Sequence, residues 1–281
     1  MVVLLRCALL PSRLLHVSAL AAAATIVTLG AAPLLAQRPA PDPVPPSTAA
    51  HRFAVRGTVL ALATAATMPF DVRLAEEMRD GAPQRNGALR STAKAFDAVG
   101  DPGVLIASVV MYGAGRAAHA PRLQQIGLHA TEAVVIAGAT TSLLKVAAGR
   151  QRPYVLAGDA DDFTPLRTGA GHTSFPSGHT TVAFAFASAV TAELGTGSSR
   201  AAWIGGPLLY GGAALVGMAR MYDDKHWASD IVLGAGIGTL AGIETVAFAR
   251  VHPANRIERT LGSLTIVPGS RGVMLTFGAT R

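Results

Sequence analysis

An all-α helical bundle is the fold class predicted by this 281-residue sequence. Three observations predict it. Seven mostly apolar stretches, each longer than a typical strand, are separated by clusters of Gly, Pro and charge. In one of them Leu89, Ala93 and Phe96 fall at i, i+4 and i+7, a single buried stripe opposite a charged face. Strict alternation of polarity is confined to the C-terminal tail.

In chain order, residues 1–36 carry Arg6 and Arg13, an apolar run from Val17 to Ala36 and a Leu34-Leu35-Ala36 ending. That pattern predicts a secretory signal cleaved near Ala36, with an uncleaved anchor as the alternative. Residues 37–52 form a Pro-rich linker, because Pro39, Pro41, Pro43, Pro45 and Pro46 lack amide donors and favour extended backbone. Residues 53–260 are the helical domain, with helices over Arg56–Phe70, Arg90–Val99, Val104–Ala118, Arg122–Ala148, Thr180–Leu194, Ala202–Arg220 and Trp227–Val251. In the tail, 261–281, Ser263–Val267 and Val273–Phe277 flank a Pro- and Gly-containing turn and predict a small β-hairpin.

Half of the residues are apolar and 15% are charged, which excludes a disordered chain or a nucleic-acid-binding tail. The single cysteine, Cys7, lies in the segment expected to be removed, so disulfide scaffolds and thiolate metal sites are excluded. A net charge of +7 favours acidic partners, either phosphorylated molecules or anionic lipid surfaces. Alanine makes up about a fifth of the chain and leaves the hydropathy ambiguous between soluble and membrane classes. The run Thr180–Val190 would span only roughly 16 Å against roughly 30 Å of hydrocarbon. Glu244 deep in the last helix would cost about 3 kcal/mol in lipid unless a partner neutralises it. These features favour a soluble or peripheral bundle over an integral one, and the N-terminal signal predicts export, to the periplasm or to a membrane with the active site facing the periplasm.

Three patches carry residue types suited to holding and splitting a phosphate ester. They are Lys145 with Arg152-Pro153, then Pro176-Ser177-Gly178-His179, then Arg220 with His226 and Asp230. Singly, each has an ordinary structural role: a helix C-terminal cation, a helix stop, an N-cap turn and a surface i, i+4 pair. Together they fall at helix ends that share one face of an up-and-down bundle, so one pocket can contain them all. Lys145, Arg152 and Arg220 supply positive charge to a phosphate, and arginine matches two oxygens at once. The Ser177 hydroxyl and Gly178 amide add donors at a helix N-terminus. Asp230, one turn beyond His226, can accept the Nδ1 proton and leave Nε2 as the nucleophile, while His179 protonates the leaving alkoxide. This chemistry requires no metal and no cofactor.

These residues resemble the three-part signature of the type 2 phosphatidic acid phosphatase and vanadium haloperoxidase superfamily: Lys, six residues, Arg-Pro; Pro-Ser-Gly-His; and Ser-Arg, five residues, His, three residues, Asp. The first two parts match fully, and the third has Ala219 where the family usually has serine. The resemblance spans Lys145 to Asp230 and implies a helical core. It implies that Lys145, Arg152, Ser177, Gly178 and Arg220 bind phosphate, that His179 is the general acid, and that His226 forms a phospho-enzyme with Asp230 behind it. It also implies a hydrolase of phosphomonoesters or diphosphates, with a phosphorylated lipid favoured over a small phosphoester as substrate, a membrane surface as partner, and vanadate as an inhibitor that mimics phosphate. Two rivals use the same residues: a vanadium-dependent haloperoxidase, in which His226 would ligate vanadate, and a non-catalytic bundle that binds anionic lipid headgroups.

Other polar residues have plainer readings. His129 and Glu132 are spaced as a local i, i+3 pair. His172 reads as a loop histidine, and Asp159, Asp161 and Asp162 as solvated acid without the glycine placement of a calcium loop.

Overall fold

The computed structural model describes residues 46–252 together with strand residues 264–269 and 272–277. The predicted signal segment, Cys7 and residues 37–45 of the predicted linker lie outside the described residues. The first helix, α1 (Pro46–Thr67), starts inside the stretch expected to be extended. Proline is well suited to a first helical position, where its missing amide costs nothing and its φ is already helical. Two short helices that the periodicity did not predict follow, α2 (Asp71–Arg79) and α3 (Gly81–Arg85). Their polar sequences have too few apolar residues to mark a buried stripe.

The remaining helices match the predicted stretches, with ends shifted by a few residues. They are α4 (Gly87–Ala98), α5 (Val104–Ala117), α6 (Pro121–Ala148), α7 (Gly178–Gly197), α8 (Ser199–Tyr222) and α9 (Ala228–Val251). Asn86 caps α4 by accepting from the amides of Ala88 and Leu89 at 3.0 and 3.2 Å. The fold class is all-α. In the tail, β1 (Leu264–Gly269) and β2 (Gly272–Phe277) pair antiparallel, with Ile266 opposite Leu275.

Helix α7 is the centre of the bundle and packs against α6, α8 and α9. One core joins Ala130, Ala133, Val134 and Ala137 of α6 to Ala185 and Ala189 of α7 and Val246 of α9. A second joins Phe184 and Ala187 of α7 to Tyr210, Ala213 and Val216 of α8. Alanine thus serves close helix packing here. On α9 the row Gly234, Gly238 and Gly242 takes this further: a Cβ at Gly238 would stand 2.1 Å from the Thr181 carbonyl, and one at Gly242 1.9 Å from Ser188 Oγ. The two backbones meet where no side chain fits.

The preference for a soluble or peripheral bundle does not survive the structure. Among the described residues, five helical stretches are long and apolar enough to cross a membrane: Ala50–Arg79, Gly87–Ala117, Pro121–Ala148, Ser199–Tyr222 and Ala228–Val251. Large apolar side chains on them, including Leu62, Val110, Leu143, Trp203 and Leu208, point outward and are exposed. The single run used to estimate reach, Thr180–Val190, is only part of the 20-residue α7. Glu244 is neutralised by Arg56 of α1, whose Nη1 donates to its Oε1. That ion pair removes the electrostatic objection to a membrane setting.

Candidate active site

Helix α6 stops one turn after Lys145 because Gly149 takes left-handed backbone at φ 58°, ψ 31° and its amide donates to the Lys145 carbonyl at 2.9 Å. A Cβ at Gly149 would lie 1.8 Å from the Thr164 carbonyl, so glycine is required there. Past this turn the chain is pinned by Gln151 N donating to Asp162 O at 3.0 Å and Arg152 N to Gly171 O at 2.8 Å. It then runs over the end of the bundle to the start of α7. There Ser177 N donates to the Asp230 carbonyl at 3.1 Å, which ties the start of α7 to the start of α9.

These helix ends enclose a cavity of about 270 Å³ lined by Lys145, Arg152, Gly178, His179, Arg220 and His226, with Thr141 and Asp101 beside them. The other two predicted site residues stand behind the wall. Ser177 is fully buried, and its Oγ is 2.9 Å from Thr180 Oγ1 instead of lining the cavity. Asp230 is also fully buried, and its Oδ2 lies 3.4 Å from His226 Nδ1.

The cations are only partly occupied by protein. Lys145 Nζ donates to the Thr173 carbonyl at 2.5 Å, Arg152 Nη2 to Thr173 Oγ1 at 3.1 Å, and Arg220 Nη1 to Asp97 Oδ1. The Nε–H groups of Arg152 and Arg220 and the hydroxyl of Thr141 are buried without a hydrogen-bond partner among the described residues. Unpaired buried donors are costly, so a cluster of them around one cavity marks a place built for an anion.

Burial lowers the pKa of His226 to about 3, reinforced by Lys145 and Arg152 and opposed by its bond to Asp230. The imidazole is therefore neutral at physiological pH. Burial also lowers Arg152 and His179; for His179 the nearby Lys145 and Arg152 add to the shift and Asp101 opposes it.

Sequence reasoning missed Arg150, which is fully buried between Asp71 and Asp230 at 2.7 Å from each. It also missed Ser174, whose Oγ donates to Asp230 Oδ2 at 2.5 Å, and Asp97, the partner of Arg220. None of these carries a spacing signal, because their partners are distant in the chain. His129, expected to pair locally with Glu132, brings its Nδ1 to 2.7 Å from Glu193 Oε1 on the neighbouring α7, where both are buried. His172 lies in a short turn and does not line the cavity. Asp159 Oδ1 accepts from the Asp161 amide at 2.8 Å, and among the described residues no group of three or more His, Cys, Asp or Glu side chains is arranged to hold a metal ion.

The model of the PAP2 superfamily matches residues 127–253, the stretch that contains Lys145, Arg152, Gly178, His179, Arg220 and His226 of the cavity. A protein named lipid A 1-phosphatase from Rhizobium etli is 30% identical over 184 residues, covering 60% of this chain and 76% of its own length. A protein of the same name from Porphyromonas gingivalis is 41% identical over 76 residues, 26% of this chain and 16% of that protein. Lipid phosphate phosphatase 1 from Arabidopsis thaliana is 35% identical over 170 residues, 51% of this chain and 50% of that protein. The chain therefore spans most of the Rhizobium relative but half or less of the other two. With the matched stretch lying on the helices that build the cavity, and a relative covered over three quarters of its length, the chain belongs to the PAP2 superfamily.

Proposed function

We propose that this chain is a membrane phosphatase that hydrolyses the phosphomonoester or diphosphate of a lipid through a phosphohistidine on His226, without a metal ion, at a site facing the periplasm. The carrying observation is the set of unpartnered buried donors, Arg152 Nε, Arg220 Nε and Thr141 Oγ, around the cavity next to a neutral imidazole. Lys145, Arg152, Arg220 and the Gly178 amide hold three phosphate oxygens. His226 Nε2 attacks phosphorus in line with the leaving oxygen; the P–N bond forms as the P–O bond breaks, and His179, protonated once the bound anionic phosphate offsets the cations that lower its pKa, gives its proton to the departing oxygen. Asp230 stabilises the imidazolium by accepting from Nδ1–H, a contact that tightens from 3.4 Å as positive charge develops. His179 then takes a proton from water, whose oxygen attacks phosphorus and releases the histidine. The named activities of the relatives support a lipid phosphate as the substrate class, and the outward apolar helices support a substrate reached from the bilayer.

The test is phosphate release by the full chain in detergent, with EDTA present, from lipid A 1-phosphate, phosphatidic acid, an isoprenyl diphosphate and a water-soluble phosphomonoester. Release from dispersed lipids that is insensitive to EDTA, and that falls by at least about 10³-fold in His226→Ala, is expected. Turnover retained by that variant would refute the nucleophile. Halide oxidation activated by vanadate, in place of inhibition, would favour the haloperoxidase.

A further inference from the structure

Behind the cavity wall lies a closed charge network in which the reaction just described uses only Asp230. Arg150 is fully buried, and each of its donor groups has an acceptor. Nε and Nη2 donate to the Ala160 carbonyl at 2.8 and 2.7 Å, Nη1 to Ser229 Oγ at 2.8 Å and Asp230 Oδ1 at 2.7 Å, and Nη2 also to Asp71 Oδ2 at 2.7 Å. Phe163, Phe175 and Trp227 surround the guanidinium with ring centroids 5.0, 5.7 and 5.7 Å from Cζ. Although only two residues from Arg152, Arg150 has no donor left for a phosphate and does not line the cavity. Asp71, the first residue of α2, is equally closed: Oδ1 accepts from Ser229 N at 2.8 Å and Oδ2 from Ser229 Oγ at 2.5 Å. It lies upstream of the stretch that the superfamily model matches.

We propose that Arg150 and Asp71 are positioning residues for the nucleophile, clamping Asp230 Oδ1 so that Oδ2 stays turned toward His226 Nδ1. This rests on the phosphohistidine reading. Two independent features support it. The first is geometric: Oδ2 also accepts from Ser174 Oγ at 2.5 Å and Trp227 N at 2.9 Å, so with Oδ1 held by Arg150 the carboxylate plane is fixed from both ends. The second is charge balance. Two carboxylates and one guanidinium leave one negative charge beside a neutral imidazole, and that charge is matched when Nε2 is phosphorylated and the ring becomes a cation. An interaction that is stronger in the charged state than in the resting one accelerates the step. Asp71 in turn holds Arg150 through Nη2, and its grip on Ser229 fixes the first turn of α9 that carries Asp230.

The experiment compares full-length wild type, Arg150→Lys and Asp71→Asn in detergent, all checked for unchanged elution volume. It reads kcat, KM, inhibition by inorganic phosphate and inhibition by vanadate. Arg150→Lys keeps the charge but cannot reach both carboxylates and Ser229 at once. Both variants should lose about 10- to 100-fold in kcat. KM and phosphate inhibition should stay within about twofold, because the cavity cations are untouched. Inhibition by vanadate, a mimic of the phosphoryl group, should weaken in parallel with kcat. If kcat is unchanged in both variants, or if phosphate binding falls together with kcat, the positioning role is wrong. Should Arg150→Lys fail to accumulate, the uncharged near-isostere Asp71→Asn carries the same comparison. Absence of turnover in wild type would instead sink the proposed function, so the two failures are separate.

Discussion

The surroundings of His226 change its chemistry. An imidazole in water titrates near pH 6.5, whereas burial beside Lys145 and Arg152 lowers this one to about 3. Because protonation would consume the lone pair, the lowered pKa keeps Nε2 available throughout the range above that value. In ¹⁵N-histidine spectra of the intact protein one imidazole should remain neutral at pH 5, and its signal should vanish in His226→Ala. A ring that titrates near 6.5 would mean that the site is open to solvent. The residues that meet in the cavity were legible in the sequence because each carries charge or a proton and stands at a fixed offset from another. Arg150 was not: its partners Asp71 and Asp230 are 79 and 80 positions away, and an arginine two places before Arg152 has no periodicity to mark it.

At the scale of elements, the contact between α7 and α9 decides where His179 and Asp230 stand. Ser177, at the head of α7, donates to the backbone of Asp230 in the first turn of α9, and further along the two helices close over Gly238 and Gly242. Gly238→Ala places a methyl against the Thr181 carbonyl and should cost about 1–3 kcal/mol by forcing the helices apart. The expected result is a lower midpoint of thermal unfolding in detergent together with a fall in kcat, since His179 and Asp230 ride on the two helices. A midpoint equal to wild type would show that the backbones can yield at no cost. Helix bodies were legible from apolar runs and most of their ends from Gly and Pro, but the start of α1 at Pro46 was not, since the Pro-rich stretch around it reads as extended chain. The polar helix α2 was not, because its stability comes from packing and from Asp71 binding Ser229 and Arg150 instead of from its own sequence pattern.

For the whole molecule, the decisive quantity is where its apolar surface faces. Five stretches long enough to cross a bilayer, with leucines, valines and a tryptophan pointing outward, describe a bundle whose solvent is lipid. Extraction of membranes with alkaline carbonate should leave the full chain in the pellet. Release into the supernatant would restore the peripheral bundle. Estimates of reach from one apolar run and of cost from one glutamate misjudged this, because both treated a segment in isolation. The helix is longer than its apolar stretch, and the partner of Glu244 is on the first helix of the bundle.

By itself the sequence determined the helical class, the three charged patches and the family that they resemble, since helix period, helix-end residues and motif spacing are all local properties of the chain. Tertiary structure alone decided that Ser177 turns its hydroxyl to Thr180, that His129 pairs with Glu193, and that Asp71 and Arg150 sit behind Asp230. The physical reason is that burial and ion pairing depend on distance in space. Groups far apart in the chain acquire partners only when the helices pack.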